Sequence, residues 1–246
     1  MAQVGVFKYE SHLGADSPCR ITQGVDLHDH DVPPSRVAWE AAAGQDWRQL
    51  QVAVGVTGGP GSEREGATVT VIDTDELAKR NARFADGGSF ADLKLMPIGS
   101  LTVIGCVDPR VDPSDVFGLK PGEAAVIRNV GGRVTPTTLR TLEMLSKVVQ
   151  ARTGGPRPGD VHYAVLHHTD CGITDLTAFP ELLADYFGVP AGDLDAKAVT
   201  DPVAAVRVDA EILKQRLPAG VFVSGLVYDV ATGLIDVVVP SARVEA

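Results

Sequence analysis

The chain has 246 residues, 44% hydrophobic and 22% charged, which suits one generous soluble domain or a domain with an appendage. Its net charge of −10, from 22 basic and 32 acidic side chains with no Lys/Arg run, excludes nucleic acid and an anionic membrane as main partners. No apolar stretch approaches bilayer length, and Met1 to His12 holds no apolar h-region, so neither a span nor a secretory leader is expected.

Residues 1–70 read as an N-terminal extension and residues 71–246 as the folded domain. Pro33-Pro34, Gly58-Gly59-Pro60-Gly61 and Gly66 punctuate the extension, with a short helix near Arg36–Gln45 and a strand near Leu50–Val56 as the only elements suggested. Three readings stay open: docking through Trp39 and Trp47, a free tail, or a start site further downstream. The glycine-rich Gly58–Gly61 lacks the Lys-Ser/Thr of a phosphate loop, which excludes nucleotide binding there. His28 and His30 read as a solvated loop and Cys19 as a free thiol.

From Val71 the pattern sharpens. Asp73, with Glu76 three residues on, opens a helix that Gly87-Gly88 stops. Leu101–Cys106 and Ala124–Arg128 are short apolar runs of the kind covered on both faces. Gly131-Gly132 is either an anion-binding nest or a packing turn. Thr135-Pro136 opens a helix to about Gln150, and Val161–His167 is a third strand. Asp201-Pro202 opens a helix to about Leu217. Val221–Tyr228 and Leu234–Val239 then form a hairpin around Ala231-Thr-Gly233. Alternating strands and helices predict an α/β fold: a mostly parallel sheet flanked by helices, with an antiparallel edge hairpin.

Three residues at strand ends carry the chemistry. Cys106 heads Cys106-Val-Asp108-Pro109-Arg110, and His168-Thr-Asp-Cys171 follows the third strand. Two thiolates and one imidazole fill three positions of a tetrahedral zinc site. Ligands in open α/β sheets gather outside the carboxyl ends of strands, so two parallel neighbours bring these donors together. Gly172 is expected to free the His-x-x-Cys turn. Water at the fourth position becomes hydroxide near neutral pH, which points to attack of water on a small electrophile. His167 alternates to the opposite face and, with His162, is expected to be structural.

These motifs resemble the β-class carbonic anhydrase family, whose signature is Cys-x-Asp-x-Arg followed by His-x-x-Cys. The resemblance covers about Val71 to Val239. It includes Asn81-Ala-Arg-Phe84, Ile127-Arg-Asn-Val-Gly-Gly-Arg133 and Val223-Ser-Gly-Leu-Val-Tyr-Asp-Val230. It implies zinc on Cys106, His168 and Cys171, with Asp108 as a fourth ligand in a closed state, or held off the metal by Arg110 in an open one. Pro109 stands where the family usually carries Ser or Ala.

The implied activity is zinc-dependent hydration of carbon dioxide to bicarbonate and a proton. Two alternatives accompany it: hydrolysis of carbonyl sulfide or carbon disulfide, and a non-catalytic zinc or bicarbonate-sensing module. A redox role lacks its Cys-x-x-Cys. The resemblance further implies a homodimer or dimer of dimers. The free thiols and missing leader imply a cytoplasmic setting.

Overall fold

The structure is a computed structural model that describes residues 72–155 and 161–246. The readings made for residues 1–70, including Cys19, His28, His30, Trp39 and Trp47, lie outside the described residues.

Five strands form one sheet: β1 (Leu101–Cys106), β2 (Ala124–Asn129), β3 (His162–His168), β4 (Phe222–Tyr228) and β5 (Ile235–Arg243). Their spatial order is β2-β1-β3-β4-β5. The first four are parallel, and β5 returns antiparallel to β4. From β1 the chain moves to one side to make β2, then crosses to the other side to make β3. The order therefore reverses between β1 and β3, and a crevice opens at their carboxyl ends.

Among the described residues, five α-helices accompany the sheet: α1 (Thr74–Asp86), α2 (Pro113–Phe117), α3 (Pro136–Thr153), α4 (Pro180–Phe187) and α5 (Pro202–Arg216). Local signals start α1, α3 and α5 as the sequence predicts, whereas α2 and α4 are not expected from it. The Asp73 carboxylate accepts from the Glu76 N–H at 2.8 Å, while the Glu76 side chain turns to Arg80 rather than back to the cap. Thr135 caps α3 with Pro136 in its first turn, and Gly154 ends it in the left-handed region at φ 80°. Asp201 caps α5 through the N–H groups of Val203 and Ala204.

The α5 face made by Ala205, Val206, Asp209, Ala210 and Leu213 is buried. Its spacing follows the helical period, and it packs on Ile104, Val165, Val223 and Val227 of the sheet. Full burial of Val206 and Leu213 contributes about 1.5–3 kcal/mol each. The opposite face buries Val103 and Leu166 against Val111 and the α2 residues Val116 and Phe117.

Two features differ from the sequence reading. β2 is an edge strand, only partly covered, with Val126 exposed. Residues between Cys171 and Thr200, which show no clear periodicity, form 3₁₀ turns at Gly172–Ala178 and Ala191–Lys197 around α4. They build a small separate core from Ile173, Leu183 and Phe187.

One buried ion pair ties the layers together. Arg133 donates through Nε to Asp209 Oδ2 at 2.7 Å, both side chains being 1% exposed. The same carboxylate oxygen accepts the Val134 N–H at 3.1 Å and lies 3.1 Å from His167 Nε2. Burial pushes the Asp209 pKa up, but the hydrogen bond from His167 and the charge of Arg133 outweigh it and hold the carboxyl below its ordinary value. His167 is thus structural, as its strand position predicts. His162 is likewise occupied, 2.8 Å from the Ser224 hydroxyl.

Removing one partner of such a pair strands the other charge away from water. Asp209→Ala is expected to lose about 3–5 kcal/mol of stability, read from urea unfolding of the purified variant. A loss below about 1 kcal/mol would show that Arg133 finds another partner.

Candidate metal centre

Cys106 is the last residue of β1 and His168 the last of β3, so the strand reversal sets both at the mouth of the crevice. Cys171 arrives three residues after His168. The left-handed residue that turns this segment is Asp170, at φ 51°. Gly172, expected to supply that freedom, has no positive φ, and a Cβ there would meet nothing within 4 Å. Aspartate is among the few non-glycine residues that tolerate this conformation.

The three side chains converge, with one donor atom from each of Cys106, His168 and Cys171 within 4.8 Å of the others. The two sulfurs are 3.8 Å apart. Two thiolates bound at about 2.3 Å to one tetrahedral zinc would also stand about 3.8 Å apart. The His168 Nδ1–H donates to the Thr169 carbonyl at 2.8 Å, which leaves Nε2 with its lone pair. That nitrogen is buried and has no hydrogen-bond partner. An orphaned acceptor facing two sulfurs is what a zinc ion would satisfy.

Electrostatics agree. The Cys106 thiol is pulled down to about 4, chiefly by the hydrogen bond with Cys171 and against the opposing effect of burial. N–H groups of Asp108 and Gly131, 3.4 and 3.3 Å from its sulfur, add to this. Cys171 is pushed the other way, first by the Cys106 sulfur and then by burial. One thiolate forms readily, and a second beside it requires a cation. For His168, burial lowers the pKa, while the Cys106 sulfur, the Thr169 carbonyl and nearby Asp108 raise it by more.

Gly131 and Gly132 settle as part of this wall. Both have positive φ. A Cβ on Gly132 would lie 2.9 Å from the Cys106 nitrogen, so the close approach needs glycine. The turn is a packing turn whose Gly131 N–H also faces the thiolate.

Asp108 sits beside the three donors, its Oδ2 4.0 Å from His168 Nε2. Arg110 occupies its carboxylate: Nη2 donates to Oδ2 at 2.7 Å and Nε to Oδ1 at 3.1 Å, while the Arg110 backbone N–H reaches Oδ1 at 2.9 Å. These hydrogen bonds, outweighing partial desolvation, hold the Asp108 pKa at about 2. In this arrangement the carboxylate is committed to Arg110. Pro109 fits it. The Val111 N–H returns to the Asp108 carbonyl at 3.1 Å, closing a turn with Pro109 at its second position, where its fixed φ is favoured.

Two contributors were not singled out from sequence. Asp170 accepts from Arg110 Nη1 at 2.7 Å, and its carbonyl accepts from Nη2 at 2.8 Å, so Arg110 bridges the two donor-bearing loops. The acidic residue inside His-x-x-Cys was visible, but nothing local said which cation it would meet. Arg128, from the edge strand, donates to the carbonyls of Cys106 and Asp108. A cavity of about 60 Å³ lies against His168 and Cys171, bounded by Gly131, Arg133, Thr174 and Thr200.

Comparison with known proteins agrees with this geometry. The sequence profile of the family described as carbonic anhydrase matches residues 101–182. The β-carbonic anhydrase 1 of Mycobacterium tuberculosis is 30% identical over 175 residues, covering 68% of this chain and 98% of that protein. The crystal structure of a carbonic anhydrase from Streptococcus mutans superposes with a TM-score of 0.52 at 34% identity, over 69% of this chain and 99% of that one. A carbon disulfide hydrolase from Saccharolobus solfataricus is 26% identical over 161 residues, covering 54% of this chain and 74% of the hydrolase. With its paired motifs at the strand reversal and a relative matched along nearly its whole length, this chain belongs to the β-carbonic anhydrase family.

Proposed function

We propose that the chain catalyses the reversible hydration of carbon dioxide to bicarbonate and a proton, with Cys106, His168 and Cys171 holding zinc and Asp108 and Arg110 serving the reacting water. The observation that supports it best is the pairing of two sulfurs 3.8 Å apart with a buried, unpartnered imidazole nitrogen, beside a carboxylate occupied by arginine. When bound there, zinc supplies the Lewis acidity that makes a hydroxide nucleophile available near neutral pH.

The side chains do the rest. With a pKa of about 2, Asp108 is a poor proton sink and a good hydrogen-bond acceptor. It accepts a hydrogen bond from the attacking oxygen and so aims a lone pair at the substrate carbon. Arg110 keeps that carboxylate from ligating the metal, and Asp170 holds Arg110 from the other loop. This arrangement speaks against a site permanently closed by Asp108, and so against the non-catalytic module. The small cavity beside His168 and Cys171 suits a substrate of a few atoms.

Hydrolysis of carbon disulfide or carbonyl sulfide is the second reading, supported by the resemblance to the Saccharolobus solfataricus carbon disulfide hydrolase. The β-carbonic anhydrase is matched along 98% of its length at 30% identity, against 74% at 26% for the hydrolase, which favours carbon dioxide. Stopped-flow carbon dioxide hydration run beside carbon disulfide hydrolysis on the same zinc-loaded sample decides. Turnover of carbon disulfide alone would reverse the order.

Assembly enters the same proposal. No residue of α1 is buried, and Leu77 and Phe84 on it are exposed. A groove of about 620 Å³ opens near α3, lined by apolar residues including Leu95, Leu101, Leu142, Leu145 and Val149. An amphipathic helix with no partner among the described residues and an apolar groove on the same chain suit exchange between two copies. We read the protein as a homodimer or a dimer of dimers. No helix of the described residues is long and apolar enough to cross a membrane. The free thiols at the metal site suit a reducing compartment, so we place the protein in the cytoplasm.

Four outcomes test these readings. Zinc analysis is expected to find about one ion per chain, and Cys171→Ser to lose most of it; full zinc in that variant would remove Cys171 from the donor set. Arg110→Ala is expected to keep zinc and lose about 10- to 100-fold in kcat, because Asp108 is then free to move onto the metal. In the unaltered protein, activity should rise from about pH 6 to about pH 9 without Asp108 contributing, since its carboxyl is ionised far below that range. A chain beginning at Val71 is expected to sediment as a dimer with zinc and turnover intact, and Phe84→Glu to shift it toward monomer. A fully active monomer would refute the assembly.

A further inference from the structure

The pairing of β1 with β3 runs from Leu101–His162 to Gly105–Leu166 and stops there, one residue before Cys106. The segment that carries the first sulfur and the carboxylate thus leaves the sheet with β3 no longer supporting it. On the β2 side, the Val107 N–H still reaches the Asn129 carbonyl at 2.9 Å. Beyond that, the Val111 N–H reaches the Asp108 carbonyl at 3.1 Å, and further support comes from a side chain. Arg128 donates through Nε to the Cys106 carbonyl at 2.8 Å and through Nη2 to the Asp108 carbonyl at 2.7 Å. Its Nη1 is paired with Asp112 Oδ2 at 2.6 Å. Asp112 is itself fixed, because its other oxygen caps α2 through the Ser114 N–H at 2.9 Å.

We infer that Arg128 is a positioning residue for the reaction: its planar guanidinium clamps the carbonyls on both sides of Val107 and so sets the Cys106 sulfur and the Asp108 carboxylate in register with each other. Three donors in a fixed plane serve three acceptors at once, two of them backbone. A lysine ammonium is a point charge on a flexible stem and cannot span the same set. The clamp and the Arg110 pair act on different parts of one residue. Arg110 holds the Asp108 carboxylate, while Arg128 holds the Asp108 main chain. Arg128 therefore helps to fix the target that Arg110 meets.

The kinetic part of this inference rests on the carbon dioxide reading, whereas the metal part does not. The test uses the full chain with zinc bound and compares Arg128→Lys and Arg128→Ala with the unaltered protein. Both variants are expected to load zinc, to release it to a chromogenic chelator about tenfold faster or more, and to lose about tenfold or more in kcat with KM nearly unchanged. Added methylguanidine is expected to restore kcat in Arg128→Ala and to slow its zinc release, which a role in overall stability alone would not produce. Should Arg128→Ala fail to fold, Arg128→Lys keeps the charge and carries the comparison. A folded variant that releases zinc at the original rate, or that melts earlier while keeping the original kcat, overturns the inference. An unaltered protein without hydration activity would refute the carbon dioxide reading and leave the zinc-release comparison standing.

Discussion

Two sulfur atoms 3.8 Å apart in a largely water-excluded crevice set the terms for the whole region. As thiolates they repel, and burial strengthens the repulsion because the surroundings screen poorly. Everything nearby supplies compensating positive charge or fixes its position. Backbone N–H groups point at Cys106, glycines let that backbone approach, and Arg110 neutralises the one carboxylate close enough to add to the burden. A divalent cation completes this balance.

Much of this was legible in the residues. Caps at Asp73, Thr135 and Asp201 announced three helices, and continuous apolar runs announced β1 and β3. The donor set was legible because its residue types are rare together and sit at strand ends. The rest depends on contacts between distant parts of the chain. Nothing in Ala124–Arg128 says that β2 lies at an edge, since edge position follows from strand order. The 3₁₀ turns after Cys171 owe their shape to packing on Phe187 and Leu183 rather than to propensity. The freedom at Asp170 was assigned to the neighbouring glycine because glycine is the usual residue there, whereas the bond with Arg110 stabilises aspartate in that conformation.

The adjacent histidines show how one strand serves two purposes. Successive side chains of β3 point to opposite faces. His167 therefore meets Asp209 and Arg133 under α5, while His168 faces the sulfurs. The buried ion pair fixes α5, the 129–133 turn and the end of β3 relative to one another. The donors are thus anchored to a buried core, and movement at the site falls to the exposed side chains of Arg110 and Asp170.

The separation of the donors along the chain also orders events during folding. Cys106 and Cys171 lie 65 positions apart, whereas His168 and Cys171 share one turn. In the unfolded chain a metal ion can be gripped cheaply by the local pair, but recruiting Cys106 means closing a long loop, with the entropy that entails. That closure is the same event as laying β3 beside β1. Metal capture and the formation of the central strand pair are therefore coupled steps, and an ion held early by the local pair would draw the two strands together.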